Sequence, residues 1–332
     1  MVKIKILVTG GAGFIGSNFI RLVLNGDPEC EIVNLDKLTY AANLNNLKDV
    51  EKNPRYKFVK SDICDKNVVE KLMEKVDTVV NFAAETHVDR SIMSANPFIT
   101  TNVSGTTNLL EVARKNDIKK FIHISTDEVY GSINKAAFTE DDKLNPSNPY
   151  SASKAATDMV AISFFKTYGI PIIITRTTNN FGPYQHPEKL IPKMIINAIL
   201  DKELSVYGEG KNIRDWLFVE DNCSGIRLLL EKGKNGEIYN IARGESNTSN
   251  VKIVKMILNK LGKSEKLIKF VKDRPGHDFR YAINCEKIKK LGWAPQNSFD
   301  TALTKTISWY TKNTTWWKPI IKTKINFHND FE

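Results

Sequence analysis

The sequence predicts an α/β chain built on a doubly wound parallel sheet, followed by a smaller α/β domain at the carboxyl end. Three observations carry this expectation. Short Val/Ile-rich runs without strict alternation recur through the first half, as expected for strands buried on both faces of a parallel sheet. Between them lie stretches with apolar residues at three- and four-residue intervals, the spacing of amphipathic helices. The chain of 332 residues, 41% hydrophobic and 26% charged, suits about two domains with a true core and excludes a disordered or collagen-like protein.

In chain order, residues 5–9, 31–36, 57–61, 78–82 and 120–125 read as strands, and 14–24 and 102–114 as helices between them. A helix beginning near Ser151 leads into a further strand at 171–175. From Phe181 the pattern loosens into segments punctuated by Gly182-Pro183, Gly208-Glu209-Gly210 and Pro275-Gly276. The division expected is a first domain over 1–180, to which some later segments return, and a second over 181–332. No internal repeat or low-complexity tract interrupts it.

Several function classes drop out. The longest apolar runs, such as residues 170–174, are far short of the roughly 20 residues of a membrane span. The amino-terminal apolar run enters a glycine-rich turn without signal-peptide organisation, so a cytoplasmic protein is expected. Cys30, Cys64, Cys223 and Cys285 are too dispersed for a disulfide framework or metal spacing, and the five histidines are equally scattered, so no metal is expected. The net charge of +10 resides wholly in residues 251–332, with 17 Lys/Arg against 7 Asp/Glu, whereas residues 1–250 balance at 31 against 31. Those lysines are dispersed among Ile, Leu and Trp, which argues against nucleic acid and suits an anionic small substrate.

The first strand runs into Gly10-Gly11-Ala12-Gly13-Phe14-Ile15-Gly16 and then directly into a helix. Glycines there permit the tight turn and close backbone approach to a pyrophosphate, while the helix amino end favours negative charge. Asp36 ends the second strand 20 residues after Gly16, where a ribose hydroxyl is expected. This is a Rossmann fingerprint in its proper context. An anion at Asp36 would repel the extra phosphate of NADP, so the expected cofactor is NAD. Asp62 and Ile63 after the third strand, and Ala83 and Ala84 after the fourth, would continue the cofactor path along the sheet edge.

Tyr150 and Lys154, four apart on a helix, lie on one face. A free tyrosine, with a pKa of about 10, is a poor base at neutral pH, and a neighbouring ammonium would stabilise its phenolate. With Thr126 after the fifth strand, this pair resembles the extended short-chain dehydrogenase/reductase superfamily. Asp127 and Glu128 add two adjacent carboxyl groups at a strand's carboxyl end, a pair able to supply general acid and general base for loss of water.

The resemblance narrows to the dTDP-glucose 4,6-dehydratase family through Ala83-Ala84-Glu85-Thr86-His87-Val88-Asp89-Arg90-Ser91, Thr126-Asp127-Glu128, Asn179-Asn180-Phe181-Gly182-Pro183-Tyr184, Pro187-Glu188-Lys189-Leu190-Ile191-Pro192, Arg214-Asp215-Trp216 and Asp273-Arg274-Pro275-Gly276-His277-Asp278. It covers essentially the whole chain. The family implies that Tyr150 removes the 4-hydroxyl proton with Lys154 and Thr126 assisting, that Glu128 is general base at C5, and that Asp127 is general acid at C6. It implies NAD contacts at Lys37, Thr39, Thr101 and Asn180 beside those above, with Tyr150 and Lys154 also touching the cofactor. It implies dTDP-glucose contacts at Thr86, Thr126, Asn179, Lys189, Leu190, Val206, Tyr207, Arg214, Asn240, Arg274 and His277, and a homodimer using the helix from Ser151 to Tyr168. The chain departs from the family pattern at Thr86, Phe181, His186 and Lys193. Rival readings are a 4,6-dehydratase or 4-epimerase of another nucleotide sugar, a related decarboxylase, and a non-catalytic NAD-binding protein.

Overall fold

A computed structural model describes residues 4–245, 248–273 and 277–322. Its centre is a parallel sheet of seven strands. Six come from the first half: β1 (Ile4–Thr9), β2 (Cys30–Asp36), β3 (Tyr56–Lys60), β4 (Thr78–Asn81), β5 (Lys120–Thr126) and β6 (Ile172–Thr177). Then follow β7 (Asn179–Phe181), β8 (Leu204–Tyr207), β9 (Ile213–Arg214) and β10 (Trp216–Phe218), and last β11 (Ile238–Ile241), β12 (Thr248–Ser249) and β13 (Ile268–Val271). The large sheet runs β11-β6-β5-β4-β1-β2-β3, so the strand order reverses beside β1 and opens a crevice at the carboxyl ends of β1 and β4.

The helices among these strands are α1 (Phe14–Gly26), α2 (Lys66–Met73), α3 (Val88–Met93), α4 (Asn96–Phe98), α5 (Thr106–Ala113), α6 (Pro149–Tyr168), α7 (Leu190–Ile199), α8 (Val219–Lys232) and α9 (Asn250–Lys260). Strand side chains alternate between the sheet's two faces. On β1, Ile6 and Val8 therefore join Phe19 and Val23 of α1 and Ile226 and Leu229 of α8. Leu7 joins the opposite layer with Leu109 and Leu110 of α5 and Ala161 of α6. Thus α8 and β11 return to the first sheet after Phe181. The smaller unit packs α7 and α9 against β8 and β10, with Ile195, Ile257, Leu303 and Trp317 among its buried side chains.

The structure differs from the expected 102–114 helix at its start. Residues Ile99–Gly105 form a wide π-type turn before α5 begins. A Cβ on Gly105 would come within 2.5 Å of Ile63 Cδ1, so any other residue would make the Ile63 side chain shift. The turn directs the Asn102 side chain inward, where it accepts from the Glu85 amide at 2.8 Å and donates to Ser153 Oγ at 2.8 Å.

A buried ion pair ties α6 to the sheet. Arg176 on β6, 1% exposed, donates from Nε to Asp158 Oδ2 at 2.9 Å and from its terminal nitrogen to the Tyr130 hydroxyl at 2.8 Å. Removing one partner leaves an uncompensated buried charge. Arg176→Met should lower unfolding free energy by about 3–5 kcal/mol in a denaturant titration. Adding Asp158→Asn to that variant should recover much of the loss.

Candidate active site

The loop from β1 to α1 is built for close backbone approach. Gly10 has φ +69°, and a Cβ there would lie 2.7 Å from the Ala83 amide nitrogen. A Cβ on Gly16 would lie 2.5 Å from the Gly10 carbonyl oxygen. No side chain caps the amino end of α1 at Gly13, leaving its first-turn donors to an anion. Every position expected to touch the cofactor lines one cleft along this crevice, from Gly10 through Asp36, Ala83 and Thr101 to Asn180.

Asp36 is buried at the end of β2, and its oxygens accept from the Ala12 amide at 2.9 Å and the Leu38 amide at 2.8 Å. Burial pushes its pKa up, and those two amides oppose the shift. Each carboxylate oxygen retains a lone pair for a ribose hydroxyl. Lys37, the cation beside it, is held by Asp62 at 2.6 Å. The chemistry of these donors and acceptors fits a dinucleotide without a 2′-phosphate.

Catalytic candidates converge at the carboxyl end of β5. Thr126 ends the strand and caps the short 3₁₀ turn of residues 127–130: its hydroxyl accepts from the Glu128 amide at 3.3 Å and donates to Asp127 Oδ1 at 3.3 Å. Opposite stands the amino end of α6, where Asn148 and Ser151 form a reciprocal capping box around Pro149. That cap fixes Tyr150 in the first turn and Lys154 one turn later, and both are buried.

Electrostatics separate these groups. Burial, then the charge of Glu128, pushes the Asp127 carboxyl up to about 8. Burial lowers the Lys154 ammonium to about 8, and it donates to the Ile124 carbonyl at 2.6 Å. The expected lowering of the Tyr150 pKa is not what the protein alone produces. Burial and the neighbouring Glu128 raise it, while a hydrogen bond with Thr126 opposes them. The reason is positional: the Lys154 ammonium is drawn to a strand carbonyl, and Tyr150 sits among carboxylates.

A second cleft adjoins the first. Thr86, Asn179 and Lys189 line both, with Thr126 in the first and Leu190, Val206, Tyr207, Arg214 and His277 in the second. Arg214 donates to the carbonyls of Ile213 and Phe279 at 2.8 and 3.3 Å and of Asp278 at 2.9 Å, which fixes its guanidinium plane at the cleft wall. Arg274 lies outside the described residues. Asn240 is fully buried on β11, accepts from Tyr130 at 2.9 Å, donates to Phe138, and lines neither cleft.

The second cleft also holds Asn250, at the start of α9, whose Oδ1 is buried without a partner. Its signal in the sequence was a polar residue at a helix start, indistinguishable there from a cap. Glu188 was also missed as more than part of a motif. It lines both clefts, accepts from Tyr40 at 3.0 Å, and sits 3.7 Å from both His87 and His186. Lys193 lines the second cleft and His186 the first.

The chain matches the family described as GDP-mannose 4,6 dehydratase over residues 7–306. It is 51% identical over 334 residues to the dTDP-glucose 4,6-dehydratase of Haemophilus influenzae, covering 93% of this chain and 98% of that protein. It is also 51% identical over 305 residues to the low-salt glycan biosynthesis protein Agl12 of Haloferax volcanii, covering 92% and 98%. Among solved structures, the dTDP-glucose 4,6-dehydratase DesIV of Streptomyces venezuelae, with NAD and TYD bound, superposes with a TM-score of 0.94 at 46% identity, covering 96% of this chain and 100% of that one.

The raised Asp127 pKa has a stability consequence with a definite sign. The native carboxyl holds its proton up to about 8, whereas the ordinary value is 3.8, so the charged form costs native stability progressively as pH rises from 4 to 8. Asp127→Asn should therefore raise the thermal midpoint by a few degrees at pH 8. That gain should fade to nothing as the melting series approaches pH 4.

Proposed function

The chain belongs to the dTDP-glucose 4,6-dehydratase family, and from that premise we propose how its residues divide the work. It is an NAD-dependent hydro-lyase that converts dTDP-glucose to dTDP-4-dehydro-6-deoxy-glucose and water. The observation that carries the residue assignment is the pair Asp127 and Glu128 facing the Tyr150 and Lys154 pair across one cleft.

NAD, when bound, would supply the hydride acceptor for C4 and the hydride donor for C6, so that it is not consumed. Asp36 would hold its ribose hydroxyls, and the Gly10 to Gly16 loop with the amino end of α1 would hold its pyrophosphate. Lys37, Thr39, Asp62, Ile63, Ala83, Ala84, Thr101 and Asn180 complete that wall. Tyr150 accepts the proton of the sugar 4-hydroxyl, with Thr126 in hydrogen-bond reach and the Lys154 ammonium opposing the carboxylate field.

A ketone at C4 acidifies the C5 proton, and Glu128 removes it; C5 takes a proton back when hydride reaches C6, which completes the product. Asp127, protonated below about pH 8, gives its proton to the departing C6 oxygen. Glu128 is partly exposed, while burial keeps Asp127 neutral as an acid. Arg214 and Lys189 place cations at the second cleft for the substrate diphosphate, for which guanidinium is suited, and the family resemblance adds Arg274. Thr86, Asn179, Leu190, Val206, Tyr207, His277 and Asn250 line the rest of the nucleotide-sugar path.

We also assign a homodimer. Met159 and Tyr168 on α6 are 48% and 49% exposed, and Met93 and Ile99 nearby are 68% and 47% exposed, an apolar face that a second copy would cover. Four free cysteines suit the reducing cytoplasm, where we place the enzyme.

With NAD present, mass spectrometry should find loss of one water from dTDP-glucose and no net NADH; turnover of a UDP-, CDP- or GDP-sugar instead would move the nucleotide assignment. Glu128→Gln should slow C5 proton exchange about 100-fold or more while 4-hydroxyl oxidation persists, and unchanged exchange would remove Glu128 from its role. Light scattering should give twice the chain mass, and Met159→Glu should shift the protein toward one chain mass.

A further inference from the structure

We propose that His186 is a further cofactor-binding residue: its imidazole Nε2–H donates a hydrogen bond to an oxygen of the NAD diphosphate. This rests on the reading of the first cleft as the dinucleotide site.

His186 is a position at which the chain departs from the family pattern, and it is 7% exposed. It lines the first cleft and not the second. Its backbone is fixed by a turn, in which the His186 carbonyl accepts from the Lys189 amide at 3.1 Å. At the ring, Nδ1 accepts from the Glu188 amide at 3.4 Å. The Glu188 carboxylate lies 3.7 Å from that nitrogen, beyond a hydrogen bond, and accepts instead from the Tyr40 hydroxyl at 3.0 Å.

Burial lowers the imidazole pKa; Glu188 opposes the shift, and Lys189 and Arg90 add to it, so the ring is neutral at pH 7. A neutral imidazole carries one N–H, and when Nδ1 accepts, the proton is on Nε2. That nitrogen is buried with no partner in the protein. A buried donor without an acceptor destabilises its state, and a ligand that brings the acceptor relieves that cost on binding.

Two anchors decide which part of the dinucleotide brings it. The loop before His186 is tied to α1, where Asn18 donates to the Pro183 carbonyl at 3.1 Å and the Phe14 carbonyl at 2.9 Å. The His186 ring also meets the Tyr40 ring edge to face, with centroids 5.5 Å apart. Tyr40 stands between Thr39 and Ala41, both of which line the first cleft. Its segment is tied to the glycine loop, because the Ala12 carbonyl accepts from the Asn43 amide at 3.0 Å and the Asn46 side chain at 2.9 Å. Both anchors lead to the amino end of α1, the place of the diphosphate. A diphosphate offers acceptor oxygens and no donor, the complement of an N–H without an acceptor.

The test is calorimetric titration of the full-length, cofactor-free chain at pH 7 with NAD and with ADP-ribose, which keeps the diphosphate but lacks nicotinamide. His186→Phe should weaken both ligands about tenfold, the size of one hydrogen bond to a charged acceptor. His186→Gln, whose amide nitrogen reaches where Nε2 stood, should stay within about threefold of wild type. His186→Asn keeps an acceptor for the Glu188 amide but stops short of Nε2, and should weaken binding as His186→Phe does. Binding of dTDP should not change in any of the three, because His186 does not line the second cleft. Wild-type NAD affinity in His186→Phe overturns the proposal, as does a loss on NAD that ADP-ribose does not share. A reversed order, with His186→Asn tight and His186→Gln weak, also overturns it, because the ring would then act only through the Glu188 amide. If His186→Phe does not fold, the Gln and Asn variants decide by the same order. Asp36→Ala separates the underlying reading: if it too leaves NAD affinity intact, the cleft assignment fails, whereas weak NAD binding there beside wild-type affinity in His186→Phe removes this proposal alone.

Discussion

The docking of α6 against β5 and β6 is the constraint on which the site depends. Two buried contacts fix it. The Lys154 ammonium reaches the Ile124 carbonyl of β5 at 2.6 Å, and one turn further Asp158 meets Arg176 of β6 at 2.9 Å. Neither contact is a cheap way to hold a helix, because each takes charge out of water. Their value is registry. A helix held by packing alone can slide along a sheet, but a lysine bonded to one carbonyl and a carboxylate bonded to one arginine allow a single setting. That setting puts Tyr150 opposite Thr126 and the acidic pair. The capping box at Asn148 starts the helix at the cleft, so that Tyr150 stands in its first turn.

Burial does more here than hold the fold. It pushes Asp127 up and Lys154 down to about the same value, and it raises Tyr150 as well. In each case the charged form is disfavoured, so the resting protein favours neutral groups around the reacting carbons. Charge created there by the reaction is met by preset partners rather than by water. Glu128, one residue from Asp127, is partly exposed where Asp127 is buried.

Much of this was legible in the sequence because parallel strands and dinucleotide loops impose strong local patterns. The six first-half strands lie within a residue or two of their expected limits, and the Gly10 to Gly16 turn stands between β1 and α1. Tertiary context decides the rest. Pairing with β6 carries Asn240 of β11 into the interior, while Asn250 at the start of α9 lines the second cleft. The π-type turn at Ile99–Gly105 leaves helical periodicity nearly intact, so spacing alone gives no sign of it. The field at Tyr150 depends on which carbonyl Lys154 reaches, and a four-residue interval does not specify that.

The two clefts also locate the chemistry. A dinucleotide along the crevice and a nucleotide sugar in the second cleft can exchange hydride only where their walls coincide. Thr86, Glu128, Asn179, Glu188 and Lys189 line both. Of these, Glu188 ties the walls together: it accepts from Tyr40 on the cofactor side, while Arg90 stacks 3.6 Å over the Tyr40 ring and Lys189 reaches the Thr86 carbonyl at 3.1 Å. On the roles proposed for Tyr150, Glu128 and Asp127, this junction is where the glucosyl ring would have to lie, because Glu128 lines both clefts while Tyr150 and Asp127 line the first.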